Sequence, residues 1–159
     1  MTQSYSIRAA TAADAETIVR HRREMFFDMG HREPAILDEM VKSFRPWVQE
    51  KLSNKEYRGW FAIAEDGSIA AGAGVWLMNW PPGLYTSEPC RGNILNVYTE
   101  QPHRRRGLAR RLVTIARDWC GTQGIHVVIL HASDQGRPLY EALGFQPTNE
   151  MRAFLTAGD

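Results

Sequence analysis

Three consecutive arginines before a glycine form the part of this sequence that is best suited to bind a ligand. Arg104, Arg105 and Arg106 precede Gly107, where an amphipathic stretch with helical spacing begins. The first turn of a helix has backbone N–H groups without intrahelical acceptors and carries the positive end of the helix dipole. Phosphate is the natural ligand of such a turn, and arginine side chains add forked donors. A solvated arginine run beside an ordinary helix start is the other interpretation of these residues.

A tyrosine further along the chain is the second residue that could take part in chemistry. Tyr140 stands in L-Y-E-A-L-G-F, near the end of residues 131–145. A phenol stays protonated at neutral pH and can donate a proton to a leaving group within hydrogen-bond reach. Packing beside Leu139 on an amphipathic helix is the alternative role for this side chain.

The two segments together resemble the signatures of the GNAT superfamily of acyl-CoA-dependent N-acetyltransferases. The family's phosphate-binding signature has Gln or Arg, then Gly three residues later and Gly or Ala two further on, and Arg104, Gly107 and Ala109 match it. A later signature has a polar residue, usually Asn, seven residues before a tyrosine, and here Ser133 and Tyr140 hold these positions. The resemblance covers most of the chain from Ile63 onward.

The resemblance implies an α/β fold with a central mixed, mostly antiparallel sheet, a splayed parallel strand pair and flanking helices. The splayed strands would be residues 94–99 and 125–131, with the pantetheine arm of acetyl-CoA between them and its diphosphate on the helix start. Arg137 could supply a phosphate contact if Ser133 reaches less far than Asn. The cofactor-binding residues expected in this way are Val97, Tyr98, Thr99, Arg104, Arg105, Arg106, Gly107, Leu108, Ala109, Arg110, Ser133 and Arg137.

The reaction implied by the family is attack of a neutral amine on a thioester. A backbone N–H of residues 97–99 would stabilise the oxyanion, and Tyr140 would protonate the leaving thiolate. The positions at which relatives place a glutamate base hold Asn93 and Val128, and neither side chain can accept a proton usefully. The replacements that stay open are loss of the proton to solvent, a water chain, or one of Glu24, Asp28, Glu88 and His126.

Two segments are expected at the acceptor pocket by resemblance, namely the helix in residues 13–29 and the turn-rich residues 80–92. Glu24 and Asp28 lie four residues apart and so share a helix face. The alternative to an acceptor-binding role is a solvated acidic face that balances the charges of Arg20 and Arg23. The loop aromatics could instead be buried against the sheet. The acceptor-site candidates are Glu24, Asp28, Trp80, Tyr85 and Glu88.

Local patterns predict the remaining elements. Strands are expected at residues 6–9, 60–65, 69–80 and 145–155, and helices at residues 34–54, 107–121 and 138–144, with Pro46 kinking or splitting the first of these helices. The Asp66-Gly67 pair predicts a hairpin, and Gly72 and Gly74 predict a bulge or a close approach by another backbone.

Composition limits the classes of protein that fit. A length of 159 residues suits a single domain over residues 1–159, and a net charge of +1 does not favour a nucleic-acid partner. No metal site is expected, because the five histidines are scattered, and the two cysteines, Cys90 and Cys120, are expected to be reduced thiols. The lack of a membrane-length apolar run or a signal segment predicts a soluble, cytoplasmic protein.

The sequence thus predicts an acetyl-CoA-dependent N-acetyltransferase that acts on a primary amine, with a small molecule as the first expectation. An enzyme that acts on protein N-termini or lysines, and a non-catalytic acyl-CoA sensor of the same fold, are the alternatives. Many relatives are dimers, so a homodimer is one of the oligomeric states left open.

Overall fold

The elements follow one another in an order that builds a sheet flanked by helices. The structure is a computed structural model and describes residues 3–156. The strands are β1 (Tyr5–Ala9), β2 (Tyr57–Ala64), β3 (Ile69–Asn79), β4 (Cys90–Thr99) and β5 (Val128–Leu130). The helices are α1 (Ala15–Asp28), α2 (Pro34–Ser53), α3 (Leu108–Thr122) and α4 (Arg137–Ala142), with short 3-10 turns at Ala12–Asp14 and Gln101–His103.

The five strands form one mixed sheet in the order β1-β2-β3-β4-β5. The first three pairings are antiparallel, and β4 pairs with β5 in parallel. One apolar cluster packs α3 residues such as Leu112 and Ala116 against Val75 and Ile94 of the sheet. A second cluster packs α1 and α2 against β2 through residues such as Phe61. The predicted fold class, with helices on both faces of a mostly antiparallel sheet, is confirmed.

Helix α2 is continuous through its internal proline. Pro34 lies in the first turn, where a missing N–H costs nothing, and Pro46 lies inside the helix. The prediction that Pro46 could split this segment is wrong. Phe44 and Val48, on either side of the proline, are buried against the sheet, and this packing outweighs the loss of one backbone hydrogen bond.

The β2–β3 hairpin turns where the Asp-Gly pair predicts it. Gly67 has φ +86°, a left-handed conformation that glycine adopts without strain. The Asp66 carboxylate accepts the Ser68 N–H at 2.9 Å and so closes the turn.

A bulge interrupts the pairing of β4 with β3. Tyr98 lies opposite Gly72 and Leu95 lies opposite Gly74, so β4 contains one more residue than β3 between these pairs. Asn96, in the bulge, has φ +56°, a conformation that Asn tolerates better than most residues. The group that approaches the glycines closely is a side chain and not the predicted backbone, since a Cβ on Gly74 would lie 2.0 Å from the Tyr57 hydroxyl.

The chain after α4 does not return to the sheet. The strand predicted at residues 145–155 is wrong, because residues 146–156 form no regular element, and Met151 and Phe154 are 94% and 84% exposed. The residues suit a strand only in composition, and β5 offers an edge of just three residues, Val128–Leu130, instead of the predicted seven. Within residues 3–156, no helix has both the length and the apolar character needed to cross a membrane.

Candidate active site

Strands β4 and β5 diverge after a short stretch of pairing. Gly92, Asn93 and Ile94 lie opposite Val128, Ile129 and Leu130, and no later residue of β4 pairs with β5 in the described part of the chain. Asn96 and Val97 also have no partner in β3, because they form the bulge. A gap therefore opens beside β4 at Leu95, and it is bordered by backbone groups that can bind a ligand.

Side chains from α1 and β2 hold the bulge in place. The Asn96 amide accepts a hydrogen bond from Arg22 Nη1 at 2.7 Å and donates one to the Tyr57 hydroxyl at 3.1 Å. Burial raises the pKa of Tyr57 to about 12, so its hydroxyl stays neutral. Because Asn96 is buried and bonded on both sides, the bulge geometry is fixed before any ligand binds.

The loop between β4 and α3 presents its backbone donors to solvent. Arg105 and Gly107 have φ values of +60° and +74°. Across residues 3–156, no acceptor is found for the backbone N–H groups of residues 105–110. A Cβ built on Gly107 meets no atom within 4 Å, so open space adjoins these donors. The loop and the first turn of α3, with Leu108, Ala109 and Arg110, thus form a concave site suited to an anion.

Arg104 is bound to the protein rather than extended into this site. Its Nη2 lies 2.5 Å from the Asp28 carboxylate, and its Nε donates to the Thr99 carbonyl at 2.9 Å. The guanidinium also lies 5.6 Å from the centre of the Tyr98 ring. Arg104 therefore ties the loop to β4 and α1, and Asp28 lies next to the anion site.

Sequence reasoning missed a cluster of titratable side chains around the buried His21, at the end of β4. The His21 ring, 1% exposed, lies 3.2 Å from Glu100, which also pairs with Arg20. Burial, with a smaller effect of Arg20, lowers the pKa of His21 to about 4. Burial alone would raise the pKa of Glu100, but hydrogen bonding to Arg20 and the nearby positive charges lower it overall. Only the fold reveals this cluster, since 79 residues separate His21 from Glu100.

The basic partners predicted for the α1 carboxylates are different in the structure. Arg20 pairs with Glu100, and Arg23 pairs with Asp38 of α2. Neither arginine therefore forms an ion pair with Glu24 or Asp28, although the pKa of Arg20 is raised by Glu100 and, to a smaller extent, by Glu24. These arginines pair with acids of other elements, because α1 is packed between α2 and the end of β4.

Tyr140 lies half-buried on α4. Its ring contacts Phe145 edge to face, with 6.1 Å between the ring centres. Burial raises the pKa of Tyr140, so the phenol keeps its proton at neutral pH. Among residues 3–156 its hydroxyl has no hydrogen-bond partner, and so it is available to a ligand.

The two other predicted residues of this region make local contacts. The Ser133 hydroxyl accepts the Gly136 N–H at 3.1 Å, in the turn that leads into α4. Arg137 forms an ion pair with Glu141, one helical turn further on, at 2.8 Å. Both side chains are thus engaged locally, within residues 133–141.

A cleft lies under the loop between β3 and β4. Three of the acceptor candidates, Trp80, Tyr85 and Glu88, line it together with Arg91 and Val127. Trp80 is 43% exposed and Tyr85 is 87% exposed, so the alternative that this loop buries its aromatics is wrong. Glu24 and Asp28 are not among the lining residues of this cleft. The five acceptor candidates are thus divided between the cleft and helix α1.

A parallel strand pair that opens beside a bulge, followed by a helix start with free backbone N–H donors, is typical of acyl-CoA-dependent acyltransferases. Residues 16–145 match the family described as "Acetyltransferase (GNAT) family". The chain belongs to this family and is an acyltransferase.

Solved structures agree with this assignment. A GCN5-related N-acetyltransferase from Ralstonia eutropha is 34% identical, with a TM-score of 0.90 over 96% of this chain and 99% of that one. A protein from Clostridium acetobutylicum, described as a predicted acetyltransferase and crystallised with acetyl-CoA, is 28% identical, with a TM-score of 0.85 over 96% of each chain. An aminoglycoside N-acetyltransferase in complex with CoA shares the fold alone, at 16% identity and a TM-score of 0.67 over 98% of this chain and 97% of that one. No curated protein matches the chain significantly.

Proposed function

We propose that this protein transfers an acetyl group from acetyl-CoA to the primary amine of a small molecule by direct attack on the thioester. The observation that carries the proposal is the gap beside β4, which opens at Leu95, next to the Asn96 bulge, and leads to the donors of residues 105–110. The gap and the loop lie along one strand, in the order that an extended acyl thioester with a diphosphate at its far end requires.

The residues of the loop fit the diphosphate. A row of free N–H groups, the positive end of α3 and the guanidinium groups of Arg105, Arg106 and Arg110 all favour negative charge. Arg104 contributes by fixing the loop, because its hydrogen bonds go to Asp28 and Thr99. We expect the backbone of Val97, Tyr98 and Thr99 to bind the pantetheine amides on the edge of β4 that faces the gap.

The chemistry requires a donor for the oxyanion and a proton for the leaving thiolate. Acetyl-CoA supplies the activated acyl group, and we expect a backbone N–H of residues 97–99 to stabilise the oxyanion as the new C–N bond forms. Tyr140 holds a proton that its raised pKa retains, and it would pass this proton to the sulfur as the C–S bond breaks. The attacking nitrogen loses one proton as the amide forms, and this proton restores the phenol through water.

The acceptor amine must be neutral when it attacks, so its ammonium form has to lose a proton. Asn93 and Val128 lie where β4 and β5 still pair, and neither side chain titrates. Asp28 already holds Arg104, which leaves Glu24, Glu88 and His126 as the side chains that could act as a base. Transfer of the proton to solvent requires none of them.

A small-molecule acceptor is favoured by the cleft at the loop between β3 and β4. The loop carries exposed aromatic side chains and bends back on itself through the hydrogen bond from the Gly83 N–H to the Thr86 carbonyl at 3.0 Å. A folded loop over a cleft suits a compact ligand better than an extended peptide. Two of the solved structures with the same fold are aminoglycoside acetyltransferases, which act on small amines.

Calorimetric titration with CoA and acetyl-CoA tests the donor site, and thiol release across a panel of amines and peptides tests the reaction. Saturable binding with turnover on small amines is the expected result. Turnover only on peptides would identify a protein acetyltransferase, and binding without turnover on any amine would favour the sensor. Absence of binding to either nucleotide would overturn the proposal.

A further inference from the structure

An arginine beside the bulge lacks the carboxylate partner that its neighbours on α1 have. Arg20 and Arg23 each pair with an acid, whereas Arg22 has no carboxylate oxygen within 4.0 Å in residues 3–156. The Arg22 Nε is buried and finds no hydrogen-bond acceptor in the same residues. The residue as a whole keeps partial exposure to solvent. This cation is therefore confined at the site without a matching anion.

The surroundings of Arg22 compensate its charge only in part. Its guanidinium lies 4.9 Å from the centre of the Phe26 ring and 4.6 Å from that of Phe44, and cation–π attraction accounts for this position. Burial lowers its pKa, which reflects the cost of keeping the charge there. A guanidinium has five N–H donors, and the one bond to Asn96 leaves most of them available. A buried charge of this kind is stabilised by a hydrogen-bonded anion.

The position of Arg22 connects it to the reaction. Its hydrogen bond to Asn96 places the guanidinium one side chain away from the bulge, at the point where the proposed thioester would lie. Gly92 and Ile94 face α3, while Leu95 packs with the α1 and α2 cluster. Side chains alternate along a strand, so Asn93 and Leu95 point to the face of β4 opposite α3. Arg22, on α1, lies on this same face.

We propose that Arg22 binds a carboxylate of the acceptor, so that the substrate is an amine that also carries a carboxylate group. The inference rests on the proposed function, whose amine it describes further. Phe26 and Phe44 provide apolar walls next to the cation, and a carboxylate accepts two parallel N–H bonds from a guanidinium.

A second arginine with a buried, unpartnered Nε is the competing site. Arg91 lies 3.6 Å from the centre of the Trp80 ring, within the cleft of the loop between β3 and β4. Glu88 lines the same cleft and supplies negative charge there. Arg22 has no acid in such a position, and it contacts the bulge directly, so the structure favours Arg22.

The test compares amines that differ only in charge at one group. Glycine, β-alanine and glutamate are assayed against glycinamide, β-alaninamide and isoglutamine by thiol release from acetyl-CoA, in the wild type and in Arg22→Gln, Arg91→Gln and Arg23→Gln. Calorimetry with CoA accompanies each variant. Arg23→Gln is the matched control, because it removes an arginine of the same helix that already has a carboxylate partner.

We expect the wild type to prefer at least one carboxylated amine over its amide by about tenfold or more in kcat/KM, the usual effect of a hydrogen bond between charged groups. Arg22→Gln should lose this preference while CoA binding is kept, and the two other variants should retain it. A purely structural role for Arg22 would slow both members of each pair equally. The proposal would be overturned if the wild type turned over each carboxylated amine and its amide at equal rates, used only neutral amines or peptides, or showed no turnover at all. Loss of the preference in Arg91→Gln instead of Arg22→Gln would overturn it too. If the wild type did not bind CoA, the proposed function itself would be wrong.

Discussion

Gly107 offers a direct test of the proposed diphosphate site. It has φ +74° and precedes α3, and a Cβ built on it meets no atom of the chain within 4 Å. A side chain at this position would therefore enter the space in front of the free N–H groups without disturbing packing inside the protein. Gly107→Glu adds both bulk and a negative charge where the diphosphate is expected.

The size of the effect follows from Coulomb's law. A carboxylate at roughly 5 Å from one phosphate charge is repelled by about 1 kcal/mol in a water-like medium and by about 3 kcal/mol at the effective dielectric of a protein surface. CoA should therefore bind roughly five- to 150-fold more weakly to Gly107→Glu. Added salt should reduce the difference, because the repelled charges are exposed.

Backbone strain has to be separated from this charge effect. Any residue other than glycine at such a φ costs about 1–2 kcal/mol of folding free energy. Gly124, beyond the other end of α3, has φ +75° and equally open space around a built Cβ. Gly124→Glu is thus a matched control with the same strain and charge, and it should lose similar stability yet bind CoA as the wild type does.

Calorimetric titration with CoA and urea unfolding of both variants provide the measurements. If Gly107→Glu binds CoA with unchanged affinity, the anion site is not at this loop. If CoA binds equally weakly to both variants, the loss of affinity comes from strain or net charge. The assignment of the anion site to this loop is then wrong as well.

Three further changes test other parts of the structure. Tyr140→Phe should lower kcat by about 100-fold or more with little change in CoA affinity, and an unchanged kcat would remove this residue from the chemistry. His21, whose pKa is lowered to about 4 from 6.5, should contribute about 3 kcal/mol of stability that is fully present above pH 6.5 and is lost as the pH falls towards 4. NMR titration of its ring checks this, and a midpoint near 6.5 would contradict it. Gly74→Ala should cost about 3 kcal/mol in urea unfolding, because its Cβ would collide with the Tyr57 hydroxyl and disturb the Asn96 bulge. Normal stability would show that Tyr57 can move.

Much of the fold could be predicted because its signals are local. Helical periodicity identifies α1, α2 and α3, and the Asp66-Gly67 turn connects β2 to β3 as expected. The predicted strand at residues 145–155 is wrong because a strand requires an edge to pair with, and β5 offers only three residues. Pro46 does not break α2, because burial of neighbouring side chains outweighs one missing hydrogen bond.

The sequence by itself determined the family, and it singled out the loop and the tyrosine that we propose for diphosphate binding and proton donation. Each depends on residue types at fixed short spacings, as in Arg104 to Ala109. Only the tertiary structure decided which partners these side chains take. Asp28 binds Arg104 across 76 residues, and Asn96 joins Arg22 to Tyr57 from three separate elements. The physical reason is that charge pairing and burial depend on distances in space, and a single chain reaches those distances only when its helices pack on the sheet.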